Sequence, residues 1–258
     1  MRNDSWDYGP LYAAWARAYR DDLRHYGRLA RKERARGPIL ELGCGTGRIL
    51  EVLCEEGDVS VVGVDSSMSQ LATAASSPKL AEARRRGALA LACGDMARFH
   101  WNARFGAVIL GYNSFAYLVD DSARVECVRG IRGHLSPGGV LAMDLDNPQV
   151  IEAAPEGVFG LDQSLEDHPA PGFQTRVYIA YERHPRRPVE NIRYRVVTTG
   201  PDGFVSADEI HHDMFSASRG EIETLLEQVG FEDVRIWGGF DRTPFDPDES
   251  PLLVVEAR

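Results

Sequence analysis

Residues 39–50 read ILELGCGTGRIL, an apolar run that meets an acid, Glu41, and then glycines at 43, 45 and 47. Glycine inside a regular element costs up to about 1 kcal/mol, so three within five positions mark a turn between a strand and a helix. Backbone N–H groups and the helix dipole at such a turn favour an anion or a close-lying ligand. A dinucleotide fingerprint, GxGxxG, would place its third glycine at position 48, which is Arg48. The spacing present is ExGxGxG, and standing alone it describes only a tight turn. Two further apolar runs also end in acids. VVGVDSS ends at Asp65, where a carboxylate can accept both hydroxyls of a ribose. ACGDMARF ends at Asp95-Met96, where an acid can accept from an exocyclic amine and the next backbone N–H can donate to a ring nitrogen.

Other groups could act on a second reactant. YNSFAYL, residues 112–118, sets Asn113 and Ser114 among Tyr112, Phe115 and Tyr117. It reads as a substrate wall with Phe115 facing the acceptor, or as plain helix packing. His211 and His212 are adjacent on an alternating stretch, so they point to opposite faces. One can serve as a base while the other meets solvent, and the pattern does not say which. DLDN closes another run with Asp144, Asp146 and Asn147, but the preceding run ends in Gly111-Tyr112-Asn113 and supplies no acid. A Mg²⁺ site wants several hard oxygen ligands, so no metal is expected. Cys44, Cys54, Cys93 and Cys127 show neither CxxC nor Cys/His spacing.

The elements that must position these residues alternate. Continuous V/I/L/A runs are separated by helical stretches, the signature of βαβ units and a parallel sheet covered on both faces. Tyr12, Trp15, Ala16, Tyr19, Leu23 and Tyr26 follow helical spacing and predict one amphipathic helix with an aromatic stripe. After Asp146 the period becomes two: FQTRVYIAYERH, VENIRYRVVTT and FVSADEIHHDMFS predict three antiparallel strands. Ser218 and Glu221 form a capping box that starts a last helix, and two strands close the chain. The expected organisation is a helical lid over 1–36, a cofactor-binding core over 37–146, an antiparallel flap over 147–216, and a helix and strands over 217–258 that complete the core sheet.

With 258 residues and a formal charge of −10, the chain suits one domain with an insertion and disfavours nucleic acid, whose phosphates need a basic face. No run approaches the roughly 18 apolar residues of a membrane span, and the polar N-terminus is no signal peptide. A cytoplasmic protein with no membrane partner is expected.

The set Glu41/Gly43/Gly45/Gly47, Asp65, Asp95-Met96 and LSPGGVL at residues 135–141 resembles the class I S-adenosylmethionine-dependent methyltransferases. The resemblance covers residues 12–145 and, more loosely, the C-terminal helix and strands. It implies a Rossmann-like seven-stranded α/β sheet, mostly parallel with an antiparallel C-terminal strand, an N-terminal helical lid and an inserted β flap. It implies that Gly43 and Gly45 lie under the methionine part and ribose, next to Glu41. Asp65 and Ser66 would hold the ribose, Met68 would pack near the adenine, Asp95 would take its amine, and Met96 would supply a backbone donor. Tyr112 or its neighbours would face the amino-acid end, Tyr12 would cap the cofactor, and Tyr19 would join its binding site. Within the class, the Tyr-rich helix and the flap are similar to those of small-molecule N-methyltransferases of bacterial antibiotic tailoring.

Methyl transfer is an in-line displacement, for which alignment alone can supply an effective molarity of about 10⁵ M or more. An oxygen nucleophile must also lose a proton to a base or metal. A neutral amine has its lone pair ready, and aromatic groups tolerate its developing charge. The leading expectation is a metal-independent N-methyltransferase acting on a small natural product. Tyr8, Tyr12, Phe115 and His212 are its candidate catalytic residues, and the flap is expected to make homo-oligomer contacts. The rivals are an O-methyltransferase using His211 or His212 as base, a non-catalytic cofactor-binding scaffold and, more distantly, a nucleotide-dependent oxidoreductase.

Overall fold

The computed structural model describes residues 9–55, 57–152, 155–166, 168–184 and 188–258. Tyr8 lies outside them. The chain runs α1 (Gly9–Ala18), α2 (Leu23–Glu33), β1 (Ile39–Leu42), α3 (Arg48–Glu55), β2 (Val61–Asp65), α4 (Met68–Ser76), α5 (Pro78–Arg85) and β3 (Leu89–Cys93). It continues through β4 (Phe105–Leu110), α6 (Asp121–His134), β5 (Leu135–Asp146) and α7 (Pro148–Glu152). Then come β6 (Gly160–Glu166), β7 (Gln174–Arg183), β8 (Val189–Thr199), β9 (Val205–Phe215), α8 (Arg219–Val229), β10 (Val234–Trp237) and β11 (Leu252–Ala257).

Seven strands form one sheet in the order β3-β2-β1-β4-β5-β11-β10. Its pairs are parallel except those of β11, which runs against both β5 and β10. Every residue of β1 and β4 is buried, as strands covered on both faces require. Side chains alternate between two cores. Ile39, Ala107, Ile109, Val140 and Ala142 pack with Tyr26, Leu50 and Leu80 of α2, α3 and α5. Leu40, Val108, Leu110, Leu141 and Met143 pack with Val128, Ile131, Ile222 and Leu226 of α6 and α8. The strand order reverses between β1 and β4, so the carboxyl ends of β1, β2, β4 and β5 border the crevice where open α/β sheets bind ligands.

A second, antiparallel sheet of order β6-β7-β8-β9 is inserted before α8. It has four strands, not three. In GLDQSLE of β6 every residue is exposed or half-buried, so the apolar alternation is too weak to read. This sheet covers the crevice: β9 packs on the 3₁₀ turn Ser114–Tyr117, and β6 meets α1. The capping box of α8 is present, with Ser218 N donating to Glu221 Oε2 at 2.9 Å, and Gly230 ends the helix at φ 95°.

The N-terminal aromatic stripe spans two helices rather than one. Arg48, the first residue of α3, causes the break. Its guanidinium donates to the Tyr19 carbonyl at 2.9 Å and to both oxygens of Asp22, at 2.7 and 2.6 Å. Asp22 is wholly buried. The clamp ends α1 beside the glycine turn and sends α2 into the core, where Tyr26 is fully enclosed. Removing one partner of a buried pair strands the other charge. Arg48→Ala should therefore lower unfolding stability by on the order of 3 kcal/mol in urea; a loss below about 0.5 kcal/mol would show that the clamp is incidental.

Candidate active site

The glycine turn follows β1 directly. Gly43, Gly45 and Gly47 have φ of 73°, 53° and 87°, the left-handed region that glycine enters without strain. A Cβ on Gly43 would meet Ser114 Oγ at 2.8 Å, and one on Gly47 would meet Leu80 Cδ1 at 2.4 Å. A Cβ on Gly45 would reach Tyr12 Cε1 only at 3.7 Å. Neighbouring protein therefore explains two of the three glycines, and Gly45 owes its identity to backbone conformation. Asp65, at the end of β2, ties the turn down: its carboxylate accepts from Gly45 N and Ser67 N, both at 2.8 Å. Burial raises its pKa, and these donors pull it back.

Three adjoining hollows follow the carboxyl edge. One of about 210 Å³ is lined by Gly43, Asp65, Ser66, Gly94, Asp95, Met96, Tyr117 and Leu118. A slot of about 30 Å³ lies between Glu41, Gly43, Gly45 and Arg48 on one side and Tyr12 and Tyr112 on the other. Glu41 is buried there, and its Oε2 has no hydrogen-bond partner among the described residues. Burial drives its carboxyl well above the usual range, against the pull of Arg48. The third hollow, about 220 Å³, holds Tyr12, Trp15, Tyr19, Tyr112, Tyr117, Tyr181 and Tyr194 with Asn113, Asp144, Asp146 and Asp162. Tyr12 and Tyr112 wall both the slot and this cavity, and Tyr117 walls both it and the first hollow. A larger cleft of about 900 Å³ beside α2 and Phe240 touches the third cavity through Tyr19 and Leu252, but contains none of the glycine turn.

Asp144 organises the third cavity. It accepts from the hydroxyl of Tyr26, from Tyr112 N at 2.9 Å and from Asn113 N at 3.2 Å. Tyr112 and Asn113 both have positive φ, 54° and 61°, an uncommon state for residues other than glycine. Burial raises Asp144 to about 6 despite those donors. Asp146 is raised to about 7, first by burial and then by Asp144, Glu190 and Asp162. Asp162 accepts from Trp15 Nε1 at 2.7 Å. The phenols of Tyr12, Tyr19, Tyr112, Tyr117 and Tyr181 are pushed up, chiefly by burial, and stay protonated.

The residues expected from sequence divide accordingly. Glu41, Gly43, Gly45, Asp65, Ser66, Asp95, Met96, Tyr12 and Tyr112 meet along the first two hollows. Tyr19 lies instead in the third cavity, its ring centroid 5.4 Å from that of Tyr112. Met68 is 66% exposed at the start of α4 and is not among the residues lining these three hollows. Phe115, expected to face the acceptor, is 0% exposed and belongs to the core shared with α6. The left-handed step at Tyr112–Asn113 turns the 3₁₀ segment so that Tyr117, not Phe115, reaches the cavity. His212 is the inward histidine of its pair. Its ring lies 5.7 Å from that of Tyr117 and 5.9 Å from that of Tyr194, and burial and the neighbouring His211 push it down to about 4. Reading the sequence did not single out Tyr181, Tyr194 or Asp162. The period-two placing of Tyr181 and Tyr194 on apolar faces was the available signal; Asp162 had none.

An enclosed hollow walled by two strand-end acids, next to a slot with an unsatisfied buried carboxylate, fits a nucleoside joined to a cationic amino-acid tail. S-adenosylmethionine has that shape. The fold and this site define a nucleoside-cofactor α/β transferase. Residues 39–139 match the methyltransferase domain family, and the chain is an S-adenosylmethionine-dependent methyltransferase. It is 24% identical over 220 residues to the cypemycin N-terminal methyltransferase of a Streptomyces species, covering 85% of this chain and 82% of the relative. The fold is shared with the CcbJ methyltransferase of Streptomyces caelestis (TM-score 0.75, 24% identity, 93% and 90% of the two chains covered). It is also shared with the S-adenosylmethionine-bound CalS10 of Micromonospora echinaspora, an amino pentose methyltransferase (TM-score 0.73, 21% identity, 96% of each chain covered). Asp65→Ala should weaken calorimetric binding of S-adenosylhomocysteine by about 1–3 kcal/mol, the cost of losing a buried hydrogen-bonded acceptor. Unchanged affinity would place the ribose elsewhere.

Proposed function

We propose that this methyltransferase transfers a methyl group to the nitrogen of a small natural-product amine, in antibiotic tailoring. The observation that carries the reading is the third cavity, where aromatic rings and three carboxylates surround the space beside the slot. Aromatic faces attract cations, and buried acids favour them further. Such a wall suits a nitrogen that is cationic before and after transfer. The relatives agree with this reading: one is a cypemycin N-terminal methyltransferase and another an amino pentose methyltransferase.

When bound, S-adenosylmethionine supplies an electrophilic methyl group. The protein's own residues do the rest: Tyr12 and Tyr112 stand between slot and cavity, and Tyr117 closes the nucleoside side. Hydroxyl acceptors are disfavoured because His212 stands behind Tyr117 and Tyr194 and is too weak a base to ionise an alcohol. Metal independence is part of the proposal. The end of β4 offers no acid, and both Asp144 oxygens already serve protein donors.

The test is mass spectrometry of products from paired acceptors that differ only in an amine or a hydroxyl, with and without EDTA. The amines should gain methyl groups in EDTA, and the hydroxyl partners should not. Methylation of the hydroxyl series, or activity restored only by Mg²⁺, would overturn the reading. His212→Asn should keep turnover within about threefold and leave the pH profile unmoved; a large loss with an ionisation removed would reinstate a histidine base.

A further inference from the structure

An alkylamine resembles lysine, with a pKa of about 10, so at neutral pH its lone pair is occupied by a proton. Something in the cavity must receive that proton before the nitrogen can attack. We propose that Asp146 binds the acceptor's ammonium group and takes this proton, with Asn113 aiming its carboxylate. The inference rests on the amine reading above and assigns a catalytic residue within it.

Asp146 ends β5 two residues beyond Asp144, so both carboxyls leave the same face of the strand. Their commitments differ. Asp144 has both oxygens bonded to protein donors. Asp146 Oδ2 accepts only from Asn113 Nδ2 at 2.9 Å, and Asn113 Oδ1 in turn accepts from Asp146 N at 3.3 Å. This reciprocal pair fixes the carboxylate and leaves Oδ1 without a protein partner among the described residues. Of the other acids nearby, Asp162 accepts from Trp15 through Oδ2 alone but is exposed on β6, and buried Glu190 accepts from Ser216 Oγ at 2.9 Å. Asp146 is thus the less exposed of the two cavity carboxylates that keep an open acceptor.

The groups acting on it support the role. Asp144 on its own strand, Glu190 on β8 and Asp162 on β6 are all acids and favour its protonated form. The phenols around the cavity come from the turn after α1 (Tyr19), the β4 exit (Tyr112 and Tyr117), β7 (Tyr181) and β8 (Tyr194). All are raised and cannot take a proton near neutrality. The Asp146 carboxyl, at about 7, is matched to proton exchange at neutral pH. The step balances. The ammonium N–H proton passes to Asp146. The freed lone pair forms the N–C bond as the donor's C–S bond breaks, and that electron pair leaves on sulfur. The product is a methylated ammonium ion and a neutral thioether, and Asp146 returns its proton to solvent.

The experiment follows carboxyl carbons by NMR in the ¹³C-aspartate-labelled protein loaded with S-adenosylhomocysteine. One carboxyl should titrate at about pH 7, above that of Asp144 at about 6, and be missing in Asp146→Asn. Saturating benzylamine should lower its midpoint by at least about one pH unit, and benzyl alcohol should leave it in place. With an amine that is methylated, Asp146→Asn should reduce kcat/KM by about 100-fold or more and remove the limb that rises through pH 7. It should keep S-adenosylhomocysteine affinity within about threefold, which shows a folded cofactor site. A carboxyl indifferent to amine, or a variant with wild-type rate and pH profile on that amine, would overturn the role of Asp146 while leaving the amine reading intact. Methylation confined to hydroxyl acceptors would instead overturn the amine reading.

Discussion

A single buried carboxylate, Asp144, joins the parts on which the site depends. Its three donors come from α2 and from the exit of β4, and its own backbone lies in β5. Two non-glycine residues in a left-handed conformation, Tyr112 and Asn113, would each be unfavourable in isolation. The carboxylate compensates by collecting both of their N–H groups. From that turn follow the inward direction of Tyr117, the burial of Phe115, and the position of Asn113 against Asp146. A charge held among apolar strands is stable only when fully hydrogen-bonded, which makes this point of the sheet intolerant of rearrangement.

The Arg48–Asp22 clamp plays the corresponding part on the N-terminal side. It divides one aromatic stripe between two tasks. Tyr12 and Trp15 of α1 face the cavities, while Tyr26 of α2 becomes core and donates to Asp144. The guanidinium also lies 5.0 Å from the centroid of the Tyr112 ring and 5.7 Å from that of Tyr19. Clamp and carboxylate therefore meet at Tyr112, the one through its ring and the other through its backbone N–H. The third cavity is acidic and aromatic, an environment that favours positive charge and keeps its phenols neutral.

Much of the core was legible because its signals are local. Continuous apolar runs, the glycine turn, the strand-end acids Asp65 and Asp95, and the Ser218 capping box each depend on neighbours within a few residues. The fourth flap strand was not legible, since a mostly exposed edge strand needs little apolar alternation. Nor was the break between α1 and α2. Tyr19 to Asp22 contain no glycine or proline, and the cause is an arginine 26 residues away from Asp22.

The amino-acid sequence by itself determined the class of sheet, the cofactor's end of the site and the presence of an aromatic, acid-rich remainder. Those properties follow from periodicity and from residues adjacent along the chain. Only the tertiary structure decided which aromatic faces the third cavity, which histidine points inward, and which of two aspartates on one strand face keeps an open oxygen. The physical reason is that the first and last of these hang on hydrogen bonds between residues roughly 30 to 120 positions apart, and the second on which face of the flap sheet covers the crevice. Such bonds set the direction of a side chain without leaving any pattern in the sequence around it.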